Sequence, residues 1–162
     1  MSKDNATAEE VIKFLLEKDL TITTAESCTG GAVAAQLISV AGISKIYKEG
    51  FITYSNEAKQ KRLGVRVRTL NDFGAVSNEA AFEMAKGVCQ KTGADVSIVT
   101  TGVAGPDGGT EEKPVGLVYI GCCVKRRTKV VEKHFDGNRQ DIREQTVEAA
   151  IQLLMECVQL EG

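Results

Sequence analysis

The run Thr24-Ala25-Glu26-Ser27-Cys28-Thr29-Gly30-Gly31 sets a serine, a cysteine and a threonine side by side. It lies between a short β-like run, Leu20 to Thr23, and an apolar segment of helical character, Ala32 to Val40. A strand, a tight turn and a helix start are expected. Such a turn places small polar side chains beside helix N–H groups that have no intrahelical partner, and these donors with the helix dipole suit a phosphate, a carboxylate or a developing oxyanion. Ser27, Cys28 and Thr29 each then offer a nucleophile or a hydrogen-bond partner, with Thr29, Gly30 and Gly31 as candidate substrate contacts. Spacing alone leaves a second reading open, a helix cap with two packing glycines. The G-x-S-x-G elbow of the α/β-hydrolases is absent, so that family is not indicated.

A serine nucleophile needs a base. The chain has one histidine, His134, which falls late in a β-hairpin and reads as an ordinary strand residue. Tyr54-Ser55-Asn56-Glu57-Ala58-Lys59 instead delivers a lysine from a strand end to the first turn of a helix. Lysine serves as a base only when neutral, and burial and a positive helix end both lower its pKa from about 10.4. A Ser/Lys pair activates a hydroxyl without histidine. Lys59 on its own also reads as a surface lysine among Lys61 and Arg62.

Two anion-binding candidates accompany the pair. The loop Thr101-Gly102-Val103-Ala104-Gly105-Pro106-Asp107-Gly108-Gly109 follows an apolar strand, where open α/β sheets place ligands, and its glycines allow close backbone approach. It fits neither the Walker pattern nor G-x-G-x-x-G, so neither ATP nor NAD is implied. Arg139 and Arg143 are four apart and share one face at the start of the last helix, where the dipole disfavours cations. Either an anion or the neighbouring acids Asp136, Asp141 and Glu144 would account for them.

The elements that must position these residues can be read in order. Thr7 and Glu10 have capping-box spacing ahead of Val11, Ile12, Leu15 and Leu16, which mark one face of a first helix. Residues 50–55 alternate as a strand and 56–63 follow as a short helix closed by Gly64. Residues 65–76 read as irregular. Ser77 opens a helix closed by Gly93, and 95–100 reads as a buried strand. Residues 115–124 and 129–135 form an antiparallel hairpin across a basic turn, and the last helix starts near Asn138. Strands interleaved with helices, plus one hairpin, predict a three-layer α/β/α sandwich with a mixed parallel/antiparallel sheet in a single domain, 1–162.

Composition narrows the function classes. Twenty basic against 22 acidic residues give a formal charge of -2, so no general case exists for nucleic acid or an anionic membrane. The cluster Lys125, Arg126, Arg127 and Lys129 has no interleaved aromatics and reads as a solvated turn. The five cysteines, Cys28, Cys89, Cys122, Cys123 and Cys157, show no C-x-x-C spacing, which argues against structural zinc or a disulfide framework. Cys122 and Cys123 should point to opposite faces of a strand. No apolar run approaches a membrane span, and a cytoplasmic location is expected.

Taken together, residues 24–31, Thr53-Tyr54-Ser55-Asn56-Glu57-Ala58-Lys59, Gly74-Ala75-Val76-Ser77, 101–109, Lys113-Pro114-Val115-Gly116 and Phe135-Asp136-Gly137-Asn138-Arg139 closely resemble the CinA C-terminal domain family, over about residues 8–158. The resemblance implies the stand-alone form of that domain, a homodimer and metal-independent, cofactor-free hydrolysis of nicotinamide mononucleotide to nicotinate mononucleotide and ammonia. Carried across, Ser27 is the nucleophile, Lys59 the base, and Thr101 part of the catalytic hydrogen-bond network. Arg143, with Arg139 as the alternative, contributes to the site, Tyr54 stacks on or bonds to substrate, and Gly102 and Gly105 line it. Cys28 at a helix start is the rival nucleophile. A nucleotide-binding or interaction module associated with competence or DNA damage is the non-catalytic alternative.

Overall fold

The computed structural model describes residues 5–161. Its five-stranded sheet has the order β2-β1-β3-β4-β5, with β1 (Ile22–Glu26), β2 (Tyr47–Ile52), β3 (Val96–Gly102), β4 (Leu117–Val124) and β5 (Arg127–His134). β1 runs parallel to both β2 and β3, whereas β3, β4 and β5 are antiparallel neighbours. The helices are α1 (Ala8–Glu17), α2 (Ala32–Ile38), α3 (Asn56–Leu63), α4 (Val67–Phe73), α5 (Asn78–Thr92) and α6 (Arg139–Glu161). This is the mixed α/β/α arrangement that the pattern predicts.

Strand alternation sorts the chain into two cores. On one face Ile22, Ile98, Val118, Ile120 and Cys122 pack with α1, α2 and α6; on the other Ala25, Val99 and Cys123 pack with Leu63, Leu70, Met84 and Val88. Cys122 and Cys123 do face opposite cores. Each lies in the same cluster as a helix cysteine, Cys157 and Cys89 respectively, and all five thiols are free. The capping box of α1 forms as its sequence requires: Glu10 N–H donates to Thr7 Oγ1 at 3.2 Å and Thr7 N–H to Glu10 Oε2 at 3.0 Å.

Several boundaries move. β1 continues through Glu26 because Thr24, Ala25 and Glu26 pair with β2 on one side and β3 on the other, so three residues read as turn are central strand. β2 begins at Tyr47 and ends at Ile52, and β3 runs on to Gly102, which puts Thr101 and Gly102 in the sheet rather than in the loop. Residues 67–73, read as irregular, form α4. Seven residues make a marginal helix by themselves; α4 is held by burying Thr69 and Leu70.

One close approach sets α3 against α5. A Cβ on Gly87 of α5 would lie 1.9 Å from the Leu63 carbonyl oxygen, so only glycine lets α5 come this near the end of α3. Gly87→Ala must push the helices apart, an overpacking cost of about 1–3 kcal/mol. Thermal denaturation should show Tm falling by about 2–4 °C for each kcal/mol; an unchanged Tm would mean that the α3–α5 contact is slack.

Candidate active site

The ends of the three parallel strands converge, as open α/β sheets lead one to expect of a ligand site. Ser27 follows β1, Thr53 and Tyr54 follow β2, and Thr101 closes β3. α3 starts at an Ser55 N-cap whose Oγ accepts the Ala58 N–H at 3.0 Å. Helical side chains lean toward the N-terminus, so Lys59, one turn in, reaches back over the residues that precede the helix. Its Nζ lies 2.9 Å from Ser27 Oγ, 2.7 Å from the Thr53 carbonyl oxygen and 3.4 Å from that of Tyr54. Lys59 is 1% exposed and Ser27 8%.

Burial pushes the Lys59 amine down from 10.5 to about 8, with the Cys28 side chain acting in the opposite sense. A neutral amine has two N–H groups and one lone pair. When the Thr53 and Tyr54 carbonyls accept the two N–H groups, the lone pair is left for the Ser27 O–H. The packing therefore sets an amine able to take a proton beside a hydroxyl.

The turn carrying Ser27 is built differently from expectation. The Ser27 N–H donates to the Thr100 carbonyl at 3.0 Å, which holds it to β3. Glu26, 1% exposed, turns the opposite way and caps α2: Oε1 accepts the Val33 N–H at 2.8 Å and the Thr29 hydroxyl at 2.5 Å, and Oε2 accepts the Ala34 N–H at 3.1 Å. Ala32 and Ala35 donate to the carbonyls of Thr29 and Gly31. The helix-end donors expected to be open to an anion are thus taken. The N–H groups of Cys28, Thr29 and Gly31 have no partner among the described residues. Gly30 and Gly31 have φ of +58° and +103°, conformations that suit glycine, and thereby let the chain enter α2.

Cys28 faces the other core. Burial first, and the Glu26 charge among the lesser causes, push its thiol up to about 11, which keeps it protonated and poorly nucleophilic at neutral pH. The Thr29 hydroxyl is wholly buried between Glu26 and Thr100 Oγ1, the latter at 2.8 Å. Thr101 lies on the Ser27 face, but its hydroxyl donates to the Ala75 carbonyl at 2.8 Å and makes no hydrogen bond to Ser27 or Lys59.

The two arginines separate in role. Arg143 donates from Nε to the Cys28 carbonyl at 3.1 Å and from Nη2 to that of Thr29 at 2.9 Å, bracing the turn from α6. Arg139 is exposed and bridges the rim, with Nη1 to the Gly105 carbonyl at 2.7 Å and Nη2 to the Tyr54 hydroxyl at 3.0 Å. Tyr54 is 60% exposed. A cleft of about 370 Å³ runs past both arginines, lined also by Ala32, Gln140, Glu144 and Val147. A larger depression of about 590 Å³, between the residues before α1 and α6, contains neither Ser27 nor Lys59. Gly102 pairs with Val118 in the sheet. His134 sits exposed on the edge strand β5, against Glu132 at 3.3 Å. Among the described residues, no group of three or more His, Cys, Asp or Glu is placed to hold a metal, and no helix is long and apolar enough to cross a membrane.

Glu26, Thr53 and Thr100 were not singled out in the sequence. The available signal was parity: at period two from Ile22, Glu26 falls on a buried face, where a carboxylate demands partners. Thr53 acts through its carbonyl, which no side-chain pattern reveals; its own hydroxyl is buried without a partner among the described residues.

A model of the CinA C-terminal domain matches residues 4–158. A putative competence-damage inducible protein of Clostridium novyi (strain NT) is 56% identical over 149 residues, 91% of this chain and 36% of that protein. A CinA-like protein of Kosmotoga olearia is 56% identical over 136 residues, 83% of this chain and 33% of that one. The chain thus spans about a third of the length of these curated relatives. Among solved structures, the competence/damage inducible protein CihA from Agrobacterium tumefaciens is 39% identical with a TM-score of 0.86, covering 96% of this chain and 98% of that one. A CinA superfamily protein from Klebsiella pneumoniae is 35% identical with a TM-score of 0.89, covering 93% and 94%.

If Lys59 is the base for Ser27, modification of Ser27 by a sulfonyl fluoride should quicken about tenfold per pH unit below about 8 and level off above it. Lys59→Ala should abolish that rise. A rate that stays flat between about pH 6 and 9 in a mass-spectrometric time course would exclude Lys59 from this role.

Proposed function

The chain belongs to the CinA C-terminal domain family, and from that premise we propose that it is an amidohydrolase converting nicotinamide mononucleotide to nicotinate mononucleotide and ammonia. One observation carries the reading: the Lys59 amine, with a pKa lowered to about 8, is held 2.9 Å from the Ser27 hydroxyl. A structural lysine has no need of a buried serine as its partner.

In the proposed reaction Ser27 Oγ attacks the carboxamide carbon while the Lys59 lone pair takes the hydroxyl proton. The carbonyl oxygen becomes an oxyanion beside the turn, whose Cys28 and Thr29 N–H groups are without partners among the described residues. A single well-placed donor of this kind is worth about 2.7–4 kcal/mol in such a step. Lys59, now an ammonium, returns its proton to the departing nitrogen as the C–N bond breaks. Water then attacks the acyl-serine with Lys59 again as base, releasing the carboxylate and regenerating the hydroxyl.

The substrate carries one phosphate, and we assign it to Arg139. Arg143 is spent on two carbonyls of the turn, whereas Arg139, which meets the Gly105 carbonyl and the Tyr54 hydroxyl, stands exposed at the rim. Tyr54 offers an exposed ring for the nucleotide to pack on. Protonated Cys28 supports the choice of serine over cysteine. Thr101, tied to Ala75, supports the site by fixing the segment before α5 to the end of β3. A cytoplasmic location, to which five free thiols are suited, and a homodimer complete the proposal.

Ammonia release from nicotinamide mononucleotide, with nicotinamide and its riboside as controls, tests reaction and phosphate requirement together. Ser27→Ala should lower the rate by about 10³-fold or more, Cys28→Ala by less than about threefold, and Arg139→Ala should raise KM more than it lowers kcat. A wild-type protein that binds the nucleotide yet releases no ammonia across the pH range would leave only a binding module. A Cys28→Ala variant without activity beside an active Ser27→Ala would transfer the chemistry to the thiol.

A further inference from the structure

We propose that Glu26 is the positioning residue of the Ser27–Lys59 pair, its buried carboxylate setting the turn that presents Ser27. The proposal rests on the hydrolase reading above. Glu26 stands at the last position of β1, and alternation sends its side chain to the α2 side while Ser27, the next residue, faces α3.

A carboxylate 1% exposed is costly unless both its oxygens are hydrogen-bonded, and here three donors converge on them. A helix start normally obtains such an acceptor from a local Ser, Thr, Asp or Asn at the N-cap. In α2 the N-cap is Gly31, which has no side chain, and the carboxylate arrives from the preceding strand instead. The difference matters for chemistry. A local cap would fix only the helix, whereas bonds from Glu26 to Val33 and Ala34 close a ring of chain in which Ser27 is the first member.

The same residue reaches the base. The Glu26 carbonyl accepts the Thr53 N–H at 2.8 Å, and the Thr53 carbonyl in turn accepts from Lys59 Nζ at 2.7 Å. Nucleophile and base thus take their separation from one residue: Ser27 through the ring that the carboxylate closes, Lys59 through the β2 end that the carbonyl holds. Thr29 and Thr100 extend the brace to β3.

Glu26→Gln keeps the shape but sets an NH₂ group against a backbone N–H. At a temperature where circular dichroism shows the variant native, kcat for ammonia release should fall about 10- to 100-fold with KM within about twofold, because a small misplacement of reacting groups lowers the rate of the step rather than binding. Sulfonyl fluoride modification of Ser27, which needs no nucleotide, should slow by about tenfold or more. Native Glu26→Gln protein with wild-type kcat and wild-type modification rate would reduce Glu26 to a helix cap and overturn the proposal, whatever its Tm. Should Glu26→Gln fail to fold, Thr29→Val removes one of the three donors and should show the same kcat loss at smaller size; an unchanged kcat in that variant likewise overturns it. If wild-type protein releases no ammonia but its Ser27 is modified, the substrate assignment fails and the modification rates alone decide the role of Glu26. If Ser27 resists modification as well, the activated pair and its positioning residue fall together.

Discussion

An ammonium group loses most of its hydration when it is packed behind a helix, and the fold accepts that loss at Lys59, the one buried lysine among the described residues. Two carbonyls and a hydroxyl surround the amine without a carboxylate, so hydrogen bonds answer part of the desolvation and no opposite charge answers the rest. The balance shows in a folded-state pKa of about 8 against 10.5. Below about pH 8 both the folded and the unfolded chain hold this proton, and the native state bears the whole penalty. Between about 8 and 10.5 the folded chain releases the proton more readily, so the group's contribution shifts toward stability as pH rises. Two apolar cores and the close α3–α5 approach at Gly87 must outweigh the penalty at neutral pH. The same penalty favours the neutral amine.

The sheet keeps two incompatible environments apart over the thickness of one strand. Glu26 and Lys59, both charged in ordinary water, lie on opposite faces, so neither neutralises the other. A carboxylate beside Lys59 would favour the ammonium and spoil the base. Placed on the α2 face instead, it satisfies helix donors and adds a minor push to the Cys28 thiol pKa, which burial chiefly raises. The turn after β1 thereby sends two adjacent residues into different surroundings, Ser27 beside the Lys59 amine and Cys28 into the α2-side core.

Most of the frame could be read from residues alone because its signals are local. The α1 capping box, the Gly93 stop, the hairpin and the start of α6 at Asn138 each depend on residues within a few positions, and each forms. α4 escaped because its stability comes from Leu70 and Thr69 packing, not from its own sequence. The Thr24–Glu26 extension of β1 escaped for a related reason: neighbours on both sides complete a ladder that polar residues do not announce. Family blocks pointed to Ser27, Lys59, Arg139 and Arg143, yet not to the division of labour between the two arginines. That division rests on which carbonyls lie within reach, a purely tertiary fact, as does the occupation of the α2 donors by Glu26.

The Arg143 contact spans 115 positions in the chain, from the first turn of α6 back to the carbonyl of Cys28. A chain growing from its N-terminus acquires β1, the serine turn and α3 long before that helix exists. While α6 is still unmade, the turn lacks its brace, the face of β3 and β4 that α6 covers is bare, and Arg139 does not yet meet the Tyr54 hydroxyl. The serine turn therefore gains its Arg143 brace only when α6 docks.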